Sequence, residues 1–198
     1  MQANTTIVIN SMQQGFTANT DEELQILAAR QNPAHFNVLY QKYHAPILKF
    51  VYQRVTSRAD AADITQQVFL QAMLSLHKYE FRGLPFSSWL YRIAINEMNN
   101  IFRKNEKQRG INLNDSHLKD VAEEIGEMNI EVQEQVLLDA LTTLDEDDYQ
   151  LVEMRFFEKR PFKEIGEILN ISEPNAKMRL YRILEKLKPL IEKQLRNK

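Results

Sequence analysis

The sequence predicts an all-α protein of two small helical domains joined by a flexible linker. Apolar residues recur at helical spacing from Asp21 onward. The 198 residues include only five glycines and six prolines, and no valine/threonine-rich alternating run occurs beyond the first twenty positions, so strand signals are missing. Between two periodic regions, residues 105–130 (NEKQRGINLNDSHLKDVAEEIGEMNI) are polar, acidic and weakly periodic, which suits a linker carrying one short helix.

The elements follow in order. Residues 1–20 lack a basic start and hold only a three-residue apolar run, so they read as a loose tail and not a secretory signal. Helices are predicted near 21–31, 34–56 and 60–78, then a loop, YEFRGLPF, over 79–86, punctuated by Gly83 and Pro85. A helix over 86–104 closes the first domain, 21–104. The second, 131–198, is helical to about 196 with breaks near 143–148, 159–162 and 170–173.

Composition narrows the function. With 43% hydrophobic and 26% charged residues the chain is globular, neither disordered nor fibrous. The absence of cysteine excludes disulfides, cysteine zinc sites and thiol catalysis, and fits a reducing cytoplasm. No apolar run approaches the ~18 residues of a membrane span, so no membrane insertion is expected. Charge is partitioned: residues 36–104 carry a net of +5, 105–159 a net of −10 and 160–198 a net of +5. Two basic blocks around an acidic one suit a protein that touches a polyanion at two places.

The helix containing WLYRIAINEMNN (89–100) holds the only tryptophan and three asparagines, which are poor helix formers. On a helical wheel Phe86, Leu90, Ile93, Ala94, Met98, Ile101 and Phe102 share a core-facing stripe. Trp89, Arg92, Asn96, Asn99, Asn100 and Arg103 share the other side, within an arc of about 100°. Amides match the donors and acceptors of base edges, arginines grip phosphates, and an aromatic ring stacks on a base for about 1–3 kcal/mol. The face suits an unpaired nucleic-acid strand, with Tyr79, Phe81 and Arg82 nearby in the loop. Core packing of Trp89 is the competing reading.

PFKEIGEILNISEPNAKMRLYRILEKLK (161–188) reads as a helix-turn-helix. Pro161 opens the first helix, Asn170 takes the left-handed turn position, Ile171 plugs the turn, and Ser172 caps the second helix with Pro174 in its first turn. Ala176, Leu180, Ile183, Leu184, Leu187 and Ile191 make its apolar face; Asn175, Met178, Arg179, Arg182 and Lys186 project opposite, as in a reader of duplex DNA.

Other constellations carry little. The acids of LDEDDYQ (144–150) suit the first turn of a helix better than a metal site, since the glycine of a tight calcium loop is missing. The histidines at 35, 44, 77 and 117 have no ligand spacing, and no phosphate-loop or dinucleotide motif occurs. No cofactor, metal or catalytic group is expected.

Over about 21–195 the chain resembles the extracytoplasmic function (ECF) sigma factors, group 4 of the sigma-70 family. The resemblance rests on DEELQILAARQNPAHFNVLYQKY at 21–43, DAADITQQVFLQAM at 60–73, FRGLPFSSWLYRIAINEMNNIFRK at 81–104 and the helix-turn-helix region 140–188. It implies a first domain (sigma region 2) that captures the promoter −10 element as an opened strand, with Phe81, Arg82, Asn96 and Asn100 around a flipped base. Arg92, Arg103 and Lys104 would lie on nearby phosphates. It implies a second domain (sigma region 4) that reads the −35 duplex through Ser172, Asn175, Lys177, Met178, Arg179, Arg182 and Lys186. It further implies docking of the 60–73 helix, through Asp60, Asp63, Gln66, Gln67, Phe69 and Leu70, on the β′ clamp coiled coil of core RNA polymerase. The β flap would be a second polymerase contact, promoter DNA the target and an anti-sigma protein a further partner, with release after initiation. Ala62 and Gln67 stand where family members commonly carry glutamate, so this edge is less acidic than usual. The acidic linker reads either as a strand mimic in the polymerase channel or as a tether. Two rivals to a sigma factor are a free-standing helix-turn-helix regulator that binds duplex DNA alone, and an enzyme on single strands. The sequence supplies the enzyme with no convincing catalytic group.

Overall fold

The structure, a computed structural model, describes residues 21–55, 57–105, 121 and 134–196. The predicted tail over 1–20 and nearly all of the predicted linker lie outside them. Eight α-helices occur among the described residues, and no strands: α1 (21–31), α2 (Phe36–Tyr52), α3 (Arg58–Ser75), α4 (Phe86–Asn105), α5 (Glu134–Thr142), α6 (Glu146–Val152), α7 (Phe162–Leu169) and α8 (Glu173–Arg196). None is long and apolar enough to cross a membrane.

Local chemistry sets most boundaries. The helix expected over 34–56 is shorter. Asn32 accepts from the Ala34 N–H beside Pro33, which makes a single tight turn over Pro33–His35 before α2. Ser57 accepts from the amides of Ala59 and Asp60, starting α3 two residues before the expected position. Asp145 accepts from Asp148 N–H at 2.8 Å, and Glu146, Asp147 and Asp148 occupy the first turn of α6, where negative charge favours the helix dipole. After α6 the backbone widens into a π-turn over Glu153–Phe157.

In the first module α2, α3 and α4 pack together around Leu39, Ile47, Phe50, Val68, Phe86, Leu90, Ala94 and Met98, all fully buried. Helix α1 ties down both ends of the loop that leads into α4. Arg30 donates to the carbonyls of Leu76 and Tyr79, where the chain leaves α3. Glu22 accepts from Phe86 N–H at 2.9 Å, and from Lys42 and the Tyr43 hydroxyl. A buried carboxylate thus meets the α4 N-terminus, where unpaired N–H groups and the dipole favour an anion.

Burial raises the Glu22 carboxyl, but the bonds from Lys42, Tyr43 and Phe86 outweigh it and hold the group below the usual carboxylate range. Its contribution is therefore present above the ordinary carboxylate value and lost as pH falls through the lower folded value. We expect Glu22→Gln to cost about 1–3 kcal/mol at neutral pH. Urea denaturation across a pH series should show that penalty shrinking below about pH 4. A penalty constant with pH would contradict the assignment.

In the second module α5, α6 and α7 pack on α8. The two modules also meet directly, through α4 and α7. Arg54, just beyond α2, is fully buried: Nη1 lies 2.6 Å from Glu146, while Nε and Nη2 both donate to Oε2 of Glu153, itself fully buried. The guanidinium sits 5.4 Å from the ring centres of Phe50 and Tyr149, one from each module. The Tyr91 hydroxyl donates to Glu158 at 2.5 Å, Ser88 donates to Glu164, and Arg160 reaches Ser87.

Candidate nucleic-acid interfaces

The loop over 79–85 and the first turns of α4 build the first candidate surface. Tyr79, Phe86 and Trp89 form an aromatic cluster with ring centres 5.1–5.3 Å apart. Burial pushes the Tyr79 hydroxyl up to about 12. Trp89 is half-buried in this cluster and also lines the hollow beside it. Gly83 has φ +67°, a conformation that makes the loop apex glycine's natural position. Phe81 is 39% exposed beside it. A hollow of about 50 Å³ lies among Lys78, Tyr79, Arg82, Trp89, Arg92 and Glu167.

Along α4 the polar arc divides. Arg92 pairs with Glu167 at 3.0 Å and also donates to the Glu167 carbonyl at 3.4 Å. Asn99 accepts from Gln150 at 3.2 Å. Asn96 is exposed, and Asn100 and Arg103, also exposed, bond to each other at 2.6 Å. The Lys104 side chain lies outside the described residues. Arg82 is exposed, pairs with Glu80 at 3.0 Å and stands 3.7 Å from Glu167; its hydrogen bond to Glu80 and the Glu167 charge raise its already high pKa, so it stays cationic.

The structure does not gather Phe81, Arg82, Asn96 and Asn100 around one hollow. Only Arg82 lines the small one. Asn96 instead lines a second cleft, of about 550 Å³, with Arg92 and Asn99 on one side and Asn170, Ile171 and Arg179 on the other.

The helix-turn-helix has the local geometry its sequence predicts. Asn170 is left-handed at φ 56°, ψ 45°, Ile171 N–H bonds the Gly166 carbonyl at 2.9 Å, and Ser172 Oγ accepts from Asn175 N–H. Ala176, Leu180, Ile183, Leu184, Leu187 and Ile191 are buried. Opposite them Ser172, Asn175, Met178, Arg182 and Lys186 are exposed and share one solvent face, while Lys177, also exposed, lies on another side of α8 at the edge of the apolar stripe. Arg179 departs from this: it pairs with Asp148 at 2.6 Å and has Asp145 and Asp147 within 3.8 Å.

On α3, Asp63, Gln66 and Leu70 are exposed, and Asp60 and Gln67 half-buried. Phe69 belongs to the core instead: it is 3% exposed, with its ring against Phe36 and Tyr40, because the α2–α3 contact takes that side of the helix. It cannot also form the outer docking edge in this conformation. Met73 and Leu74 are exposed one turn beyond Leu70. Periodicity assigns such apolar i+3 and i+4 residues to the core, so sequence reasoning passes over them. It also passes over Glu22, Arg30 and Arg54, whose partners lie far along the chain.

Two family models match separate stretches of the chain. The family model described as Sigma-70 region 2 matches residues 39–108, and Sigma-70, region 4 matches 140–188. The chain is 28% identical over 187 residues to the ECF RNA polymerase sigma-E factor of Haemophilus influenzae, covering 87% of this chain and 97% of that protein. It is 24% identical over 155 residues to the ECF RNA polymerase sigma factor SigM of Bacillus subtilis, covering 77% and 92%. Against the ECF RNA polymerase sigma factor BldN of Streptomyces coelicolor it is 25% identical over 158 residues, and the match spans 60% of that longer protein. The solved structure of CnrH in complex with the cytosolic domain of CnrY shares the fold, with a TM-score of 0.58 at 20% identity, over 87% of this chain and 97% of that one. The two region models follow one another in family order on an all-helical chain, and several relatives align over nearly their full length: the chain belongs to the ECF sigma factors of the sigma-70 family, the DNA-binding transcription initiation factors.

Proposed function

We propose that this sigma factor completes core RNA polymerase and directs it to promoters whose −10 element it reads as an opened strand and whose −35 element it reads as duplex, and that it leaves after initiation. One observation supports this most: Arg92, Asn96, Asn99, Asn100 and Arg103 share one arc of α4 inside the region 2 match, while α8 turns Asn175, Met178, Arg182 and Lys186 to solvent on one face inside the region 4 match. Asn96 and Asn100 would hydrogen-bond an unstacked base beside Phe81, with Arg82, Arg92, Arg103 and Lys104 on phosphates. Capturing a base offsets part of an unstacking cost of about 1.4 kcal/mol per step, too little to open a duplex unaided, so polymerase must supply the rest. On α8, Arg182 and Lys186 offer phosphate or guanine contacts, and Asn175 sits at the helix start, where phosphates are favoured.

The exposed α3 edge (Asp60, Asp63, Gln66, Gln67, Leu70) would dock on the β′ clamp coiled coil, and the second module on the β flap. CnrH was solved with the cytosolic domain of CnrY. By that likeness we assign this chain a sequestering anti-sigma partner as well. Its place of work would be the cytoplasm, with no chemistry of its own.

The two surfaces separate in a test. With core polymerase and a supercoiled promoter, Asn96→Ala should slow strand opening about tenfold or more, the scale of one lost base contact. It should leave the salt dependence of initial duplex binding unchanged. Arg182→Ala should weaken that initial binding and reduce its salt slope by about one unit if the contact is to phosphate. Permanganate footprinting and filter retention read the two steps. Equal effects of both variants on both steps would sink the division of labour.

A further inference from the structure

Arg179 projects from α8 but is held by another helix of its own module. Its Nε donates to Asp148 Oδ1 at 2.6 Å, and its Nη2 lies 3.7 Å from Asp145 and 3.8 Å from Asp147. These acids form the cap and first turn of α6, where Asp145 also accepts from the Asp148 N–H. On the helical wheel Asn175, Arg179, Arg182 and Lys186 fall within an arc of about 60°. The tied side chain thus stands in the same strip of α8 as three exposed ones offered to DNA.

Charge argues against a phosphate contact for Arg179. Three carboxylates face one guanidinium, and the side chains of Asp145 and Asp147 are 67% and 74% exposed. A phosphate brought to this edge would meet net negative charge. Packing leaves a task open that the arginine can perform. The buried stripe of Ala176, Leu180, Ile183 and Leu187 seats α8, but apolar contact has no direction of its own. A roll of about 20° moves a side-chain tip by about 2 Å at a helix radius of about 6 Å. That exceeds what a hydrogen bond to a base edge tolerates.

We infer that Arg179 is a positioning residue: tied to Asp148, it fixes the roll of α8 and so sets which base edges Asn175, Met178 and Arg182 reach. The inference rests on the sigma reading above and removes Arg179 from the residues that touch the −35 duplex. The planar guanidinium, held along two directions, does what a lysine, a point charge on a flexible stem, does not. An ion pair with one partner about a third exposed adds little stability, so its loss is read in recognition and not in unfolding.

The test uses holoenzyme assembled from the full chain and core polymerase. The DNA is a promoter fragment recovered by start-site mapping, with copies that each replace one −35 base pair. Asp148→Asn, which removes no DNA contact, should lower discrimination against the replaced pairs about tenfold at two or more positions. Arg179→Lys, which keeps the charge, should do the same. The salt slope of duplex binding and the melting temperature of the free chain should hold in both variants. If Asp148 only competes with phosphate for Arg179, Asp148→Asn tightens binding to every copy and leaves discrimination unchanged. If Arg179 itself reads a guanine, Arg179→Lys loses discrimination at one G·C pair alone. Either result, or a melting temperature lowered by more than a few degrees, would overturn the inference. Hydrogen exchange on the ¹⁵N-labelled full chain needs no promoter: the Arg179 Nε–H should exchange slowly, and Asp148→Asn should abolish that protection. An unprotected Nε–H in the parent also overturns the inference. If no holoenzyme binds a promoter, the sigma reading fails instead, while the exchange still judges the tether.

Discussion

Phe86→Ala unfolds the first module more easily by about 3–5 kcal/mol, the cost of emptying a fully packed phenylalanine site. Phe86 is completely buried at the first position of α4, with Tyr43, Tyr79 and Trp89 rings at 5.1–5.8 Å. Its backbone N–H is also the group that Glu22 caps. Truncation removes the ring that orders Tyr79 and Trp89 and so loosens the loop carrying Phe81 and Arg82. Strand opening should fall even at temperatures where the module stays folded. Thermal unfolding by tryptophan fluorescence suits the measurement, since Trp89 is the only tryptophan and reports on this cluster. A loss below about 1 kcal/mol would mean the cluster collapses onto the gap and contributes little order.

Gly166→Ala is the second large effect, and here two terms oppose each other. Alanine in a helix interior gains about 1 kcal/mol over glycine. A β-carbon at Gly166, however, would stand 2.8 Å from the Ile171 carbonyl oxygen and 3.3 Å from the Glu173 amide nitrogen. Both are backbone atoms and cannot rotate away. They belong to the turn that seats α8 on α7, so the clash must push the helices apart, at a cost of about 1–3 kcal/mol or more for an overpacked site. The clash wins. The variant should melt the second module at lower temperature and lose −35-dependent transcription, while strand opening on a promoter that relies on its −10 element is spared. A variant as stable as the parent would show that the turn has slack the distances do not suggest.

Legibility in the sequence follows the range of the interaction. The left-handed Asn170, the Ser172 cap, the acidic first turn of α6 and the apolar face of α8 each depend on neighbours within a few residues, and each is where the sequence puts it. Helix ends set by a competing side chain, such as Asn32 before the Pro33 turn, shift by two or three positions. Partners distant in sequence escape entirely. Arg54 and Glu153 are 99 residues apart, and nothing local marks either as buried. Ile95, flanking the predicted stripe of α4, is buried because the stripe accounts for only one packing partner while the second module brings α7 to the same helix. Among the candidate site residues, the exposed face of α8 was legible from period alone. Phe69 was not, since an apolar residue beside a polar edge can turn either way until the α2 contact is known.

The most direct test of the central claim is transcription in vitro: purified protein, sigma-free core polymerase and genomic fragments, with start sites mapped. We expect starts at discrete positions that share two upstream motifs and disappear with Asn96→Ala. No starts, together with a tight shift of duplex DNA by the protein alone at nanomolar concentration, would contradict the account and mark a free-standing regulator.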